Sequence, residues 1–162
     1  MEHEHAAHGM QAKHTHGGHY LRLLVMIGLS FAAMYALMYA MVDRAENIHP
    51  SLNQAYMAGL MVAPMAVLEL LLMGSMYPDR RLNLWLGAGF TLLFVVAFLA
   101  IRMQSGIGDR QFLRSMIPHH SGAILMCREA NVEDAEIRAL CTRIIASQSE
   151  EIAQMEAILA RR

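Results

Sequence analysis

Three stretches of this chain carry almost no charge, and each is about as long as a bilayer is thick. Residues 23–42 and 82–101 hold no Asp, Glu, Lys or Arg, and residues 52–77 hold only Glu69. A helix rises about 1.5 Å per residue, so roughly 20 apolar residues cross the hydrocarbon core. Lipid offers no partner to backbone N–H and C=O groups, so such runs cross as helices. The spacing predicts a three-helix transmembrane domain over residues 21–102. The first stretch is too long, and lacks the small-residue cleavage pattern, to be a removable signal. Tyr20, Tyr77 and Trp85 fall near segment ends, where an aromatic belt belongs. Three crossings put the N-terminal tail and the 78–81 loop on one side. The 43–51 loop, with His49, shares the other side with everything after residue 102.

The first two segments are joined by a short loop and are expected to pack antiparallel. With their outer ends level, Met34 faces Met65, Met38 faces Met61 and Met41 faces Met57. Each trio falls on one side of its helix. These rungs read either as a sulfur path for a soft metal or as gap-filling between membrane helices. Glu69 is costly in a bilayer, roughly 2.5–3.5 kcal/mol on insertion scales, so it should face protein or water. Its expected level is that of Ser30 and Thr91. A structural hydrogen bond there and an ion-coupling role are both open readings.

Beyond the linker 103–108 (MQSGIG), taken as flexible, two more helices follow. Asp109 is placed to cap a helix running to about 130, and Asn131 to close it in a left-handed turn. Asp134 is placed to cap a second helix running to about 160, with a seam of Ile137, Leu140/Cys141, Ile144, Gln148, Glu151/Ile152, Met155 and Leu159. Folding about residue 132 sets His119 and His120 opposite Ile144–Ile145. In MIPHHSGAILMC (116–127), residues 116, 119/120, 123 and 126/127 share one helical face. Met116, His119, His120, Met126 and Cys127 thus offer thioether, imidazole and thiol together, a soft set that suits Cu(I) or Ag(I). The competing reading is an apolar seam in which methionine fills gaps. Cys127 and Cys141 lie about a turn apart across the pair, and both a disulfide and a shared thiolate site remain open. A hairpin this small has one seam and little core, so association into a homodimer or homotrimer is expected.

Two stretches, FLRSMIPHHSGAILM (112–126) and EIRALCTRIIASQSEEIAQM (136–155), are similar to the CopM-like copper-binding domains, formally a domain of unknown function (305) with a ferritin-like helical fold. The resemblance covers about a third of the chain. It implies an extramembrane antiparallel hairpin, a ferritin-like half-bundle over residues 109–162, that binds Cu(I) or Ag(I) and serves metal tolerance. Carried over by position, the ligand candidates are Met116, His119, His120, Met126 and Met155. Gln148 and Glu151 fall on the family's Q-x-x-E-I stretch and look like supporting residues, with Cys141 beside them. Such domains are mostly exported. The positive-inside count is a tie, with Lys13, Arg22, Arg80 and Arg81 against Arg44, Arg102, Arg110 and Arg114. Export of the domain and the basic 78–81 loop together favour a multi-pass protein of the bacterial inner (plasma) membrane, its C-terminal domain periplasmic.

Residues 1–20 form a polar tail, expected to be disordered, that holds six of the nine histidines: His3, His5, His8, His14, His16 and His19. Such a tract can buffer Cu(II) or Zn²⁺ through neutral imidazoles. The net charge of −1 gives no basic surface for nucleic acid. An enzyme is not expected, because the glutamates lack an E-x-x-H partner and there is no nucleophile elbow, phosphate loop or H-E-x-x-H. The sequence as a whole describes an all-α membrane protein that anchors a Cu(I)/Ag(I) site at the bilayer, for sequestration or handover in copper tolerance. The alternatives are a copper permease using the methionine rungs, and an interaction module with incidental metal affinity.

Overall fold

The computed structural model describes residues 18–162 and holds no strand among them. Its helices are α1 (Glu2–Leu37, described from Gly18 on), α2 (Leu52–Leu72), α3 (Arg80–Met103), α4 (Asp109–Glu129) and α5 (Ala135–Ala160), with a 3₁₀ turn at Ala45–Asn47. Gly18–Leu37, α2 and α3 run 20, 21 and 24 residues and are long and apolar enough to cross a membrane. The all-α architecture therefore matches expectation. His3, His5, His8, His14 and His16 lie outside the described residues.

The chain divides into two compact units, one formed by residues up to Met34 with Met57–Ala100, the other by Tyr35–Tyr56 with Ile101–Arg162. In the first, Leu23, Ile27, Val62, Ala66, Leu70 and Tyr77 form a buried cluster. Small residues let these helices approach closely: Ala58, Gly59, Ala63 and Ala66 are buried, and a side chain on Gly59 would touch Ala97. The outward surface is greasy, with Leu72 81% and Trp85 76% exposed, as a lipid-facing surface requires. Asp79 Oδ1 caps α3 by accepting the N–H groups of Arg81 and Leu82.

Three expectations for the apolar half are corrected. Met34 and Met65 do pack against one cluster, but Met57 and Met61 are 40% and 48% exposed. Helix α1 stops at Leu37, so Met38 and Met41 lie in turns and lose the helical spacing assumed for them. The chain leaves the helix where Tyr39 donates its hydroxyl to the carbonyl of His49 (3.0 Å) and Tyr35 reaches that of Ser51 (3.5 Å). The helical spacing on which the rungs were expected therefore ends after Met34 on α1. Glu69 meets neither Ser30 nor Thr91: Tyr77, folding back from beyond α2, donates its hydroxyl to Glu69 Oε1 (3.2 Å), while the Thr91 hydroxyl bonds the carbonyl of Gly87. Tyr77 is accordingly buried rather than a belt residue.

The second unit is built on α4 and α5. Ile117, Ile124 and Ile152 are its buried core, with Ile145, Met155 and Leu159 packed against them. Asp134 caps α5 as expected, Oδ1 accepting the N–H groups of Glu136 (2.8 Å) and Ile137 (3.0 Å). Asp109 is the first residue of α4 rather than its cap and pairs with Arg162. The left-handed turn expected at Asn131 does not form; α4 leaves through Ala130 in extended conformation. Extended residues after α4 displace the fold point to about Asp134, so His120 meets Glu151 instead of Ile144–Ile145.

The 103–108 stretch is an ordered turn rather than a loose linker. Gln104 (φ 50°) and Gly106 (φ 72°) turn it through left-handed backbone, and the start of α2 holds it. Tyr56 donates to the carbonyl of Ser105 (2.9 Å), and Asn53 pairs with Gln104.

Candidate metal centre

Helix α4 carries both histidines past Pro118, which lies buried inside the helix. The two rings meet edge-on but differ in burial. His119 is exposed, whereas His120 is 8% exposed, with ring centroids 6.0 Å from each other. His120 Nδ1 lies 2.9 Å from the carbonyl oxygen of Met116, which can only accept, so Nδ1 carries a proton. Nε2 lies 2.7 Å from Glu151 Oε2, within hydrogen-bond distance. The other oxygen of Glu151 accepts the hydroxyl of Ser147 (2.9 Å). These bonds, that of Ser147 first and that of His120 second, hold the Glu151 carboxyl below its usual range.

The His120–Glu151 contact and the Cys127–Cys141 disulfide fix the register of the hairpin. One turn back from His120 is Met116, and one turn on from Glu151 is Met155. Antiparallel helices place these two at the same level. Both are half-buried, and Met155 packs against the isoleucine core.

The disulfide corrects the place given to Cys127 among the ligands. Cys127 and Cys141, with Cα atoms 5.2 Å apart, bond each other, so neither thiol is free to bind metal or support a ligand in this state. Met126 is 52% exposed and two turns from His119, beyond the reach of one ion. Gln148 is half-buried on α5. Among the described residues, no three His, Cys, Asp or Glu side chains converge as a metal-holding group. The soft donors that the register gathers are therefore Met116, Met155 and His120, with His119 on the outer face of the same turn.

The uncharacterized protein L153 of Acanthamoeba polyphaga mimivirus is 37% identical over 143 residues, covering 86% of this chain and 92% of the viral protein. The family model described as "Domain of unknown function (DUF305)" matches residues 100–159. The chain belongs to the family of that viral protein and carries a DUF305 domain. An alignment of 143 residues extends well beyond that domain, so the likeness takes in much of the apolar N-terminal part as well. No solved structure matches.

The DUF305 domain is strapped by a segment that sequence reasoning assigned only to a loop. Ser121, fully buried beside His120, accepts the N–H of Asp43 (2.8 Å) and the amide of Asn47 (3.1 Å). Arg128 donates to both oxygens of Asp43 (2.8 and 2.7 Å). His49 Nε2 meets Glu156 Oε1 at 2.8 Å. Gly122 lets the strap come near, since a Cβ there would stand 3.4 Å from the carbonyl oxygen of Met41. The signal that could have found this is the Ser-Gly pair after the histidines: a small polar residue beside the isoleucine face of α4, followed by a residue without a side chain.

Proposed function

We propose that this protein binds Cu(I) or Ag(I) beside the membrane and holds it for sequestration or handover in copper tolerance. The observation that carries the reading is the anchoring of His120. Its Nδ1–H is committed to the backbone carbonyl of Met116, the outer-shell bond that orients a histidine to ligate through Nε2. Nε2 is open to a metal once Glu151, half-exposed, turns its carboxylate to water. Met116 and Met155, one turn away on the two helices, are the sulfur partners a monovalent coinage metal prefers. With the cysteines joined to each other, the metal is held by thioether and imidazole, donors that resist oxidation to disulfide in an exported domain. The outward exposure of Met57 and Met61 favours capture and handover over conduction within one chain.

The test is competition between full-length protein in detergent and a colorimetric Cu(I) chelator. Met116→Leu and Met155→Leu keep core volume and are expected to weaken Cu(I) binding about tenfold or more each, by loss of a soft ligand. An affinity unchanged in both, and in the His119→Ala/His120→Ala pair, sinks the assignment.

A further inference from the structure

The start of α2 and the start of α4 meet in a junction that holds more hydrogen-bonding groups than partners. Two contacts frame it. Gln111 Oε1 accepts the N–H of Leu52 (3.0 Å), and His49 bonds Glu156 at the end of α5. Ser51 immediately precedes Leu52, and Arg114 stands one turn on from Gln111 along α4. Ser51 is 5% exposed and its Oγ has no partner. A serine just before a helix ordinarily turns its hydroxyl onto an N–H of the first turn, and this one does not. The Nε of Arg114 is likewise buried without a partner, and no ion pair among the described residues includes Arg114. Gln54, in the first turn of α2, has a buried side-chain oxygen in the same condition.

A half-buried guanidinium that makes no ion pair and leaves its Nε unbonded is a costly arrangement unless something completes it. The missing group must accept from an arginine fork and a hydroxyl, and it sits at the N-terminus of a 21-residue helix, whose free N–H groups and dipole favour negative charge. The Gln54 amide can turn its NH₂ inward and donate as well. Leu52 begins one membrane-length helix and Met103 ends another, and the turn after Met103 is bonded to Asn53 and Tyr56. That is headgroup depth for a chain crossing a bilayer.

We propose that this junction is a phosphate-binding site, with Arg114, Ser51 and the first turn of α2 as donors, filled by the phosphodiester of an anionic phospholipid or by free phosphate. It does not depend on metal binding.

The experiment uses the full chain in detergent. Native mass spectrometry follows retention of added phosphatidylglycerol, and thermal unfolding follows inorganic phosphate against chloride at matched ionic strength. Wild type is expected to keep one phosphatidylglycerol or to be stabilised by phosphate. A response to lipid alone identifies the phosphodiester; a response to phosphate identifies the free ion. Arg114→Gln and Ser51→Ala should each weaken the effective probe about tenfold, the loss of a charge-assisted hydrogen bond. Arg114→Lys keeps the charge for folding and loses the fork, and should weaken it severalfold. Arg110→Gln, at an exposed arginine one turn earlier, should behave as wild type. No response of wild type to either probe, or undiminished binding by Arg114→Gln or Ser51→Ala, overturns the proposal and leaves the junction to water.

Discussion

Removal of one oxygen atom, in Ser121→Ala, should loosen the strap over the DUF305 domain. The Ser121 hydroxyl is fully buried and accepts two hydrogen bonds, from the backbone N–H of Asp43 at 2.8 Å and from the Asn47 amide at 3.1 Å. The two losses differ in size. Asn47 is half-buried and can turn its amide to water, whereas the Asp43 N–H is fixed by the chain and faces a methyl group in the variant. An unmade buried bond costs about 1–3 kcal/mol and a replaceable one about half a kcal/mol, so about 2 kcal/mol is expected in all. The Asp43 carboxylate that holds Arg128 sits on the residue set free, so the ion pair should weaken with it. Amide hydrogen exchange reads the bond itself: protection at Asp43 should fall about thirtyfold, the equivalent of 2 kcal/mol. Ser149→Ala is the control, because its hydroxyl bonds only the Ile145 carbonyl of its own helix and its loss should stay within about 0.5 kcal/mol. Equal protection of the Asp43 amide in Ser121→Ala and wild type would refute the idea that the hydroxyl holds the strap.

Three further outcomes follow from the same packing. Replacing both Cys127 and Cys141 by serine frees a loop of sequence separation 14, and should cost about 3 kcal/mol in the chain-entropy account, read as a lower unfolding midpoint that added reductant no longer changes. Glu151 has a folded carboxyl pKa below its usual 4.5, so its contribution to stability is complete above that value and is lost as pH falls through the depressed one; Glu151→Gln should flatten that acid limb in a pH series of unfolding midpoints. At Gly122, alanine should be nearly neutral, since about 1 kcal/mol of helix propensity offsets the 3.4 Å approach to the Met41 carbonyl, whereas valine should displace the strap and expose the Asp43 amide to exchange.

Periodicity and length determine the features that the sequence made legible. Three nearly uncharged runs of 20 residues or more leave helices as their form, and the Asp134 cap announces itself by residue type and position. The disulfide was one of two readings because spacing places thiols near each other without choosing their chemistry. What the pattern missed is side-chain capture at a distance. Tyr77 reaches back eight residues to Glu69, and Tyr39 and Tyr35 draw the chain off α1 before Met38, although an uncharged run continues to Val42. Hydropathy cannot see these phenols, since tyrosine counts as apolar until its hydroxyl finds a carbonyl. The hairpin register failed for a similar reason: a fold point assumed at residue 132 ignored that extended residues before Asp134 advance one helix along the other.

The candidate centre draws its order from outside its own two helices. Two antiparallel helices share one seam, and here that seam buries three isoleucines and little else. A histidine inside so thin a core would be free to turn to water. His120 is held on three sides instead: Met116 fixes Nδ1, Glu151 meets Nε2, and the next residue, Ser121, is pinned by Asp43 and Asn47. Two of those three holds come from α4 and α5, and the third comes from the connection between α1 and α2. The same connection reaches α5 through His49 and Glu156 and the far end of α4 through Asp43 and Arg128. It therefore crosses both helices at points on either side of His120. For the proposed metal, His120 would have to give up the Glu151 carboxylate while its backbone stays in place, and the strap supplies that fixity without occupying either nitrogen of the ring.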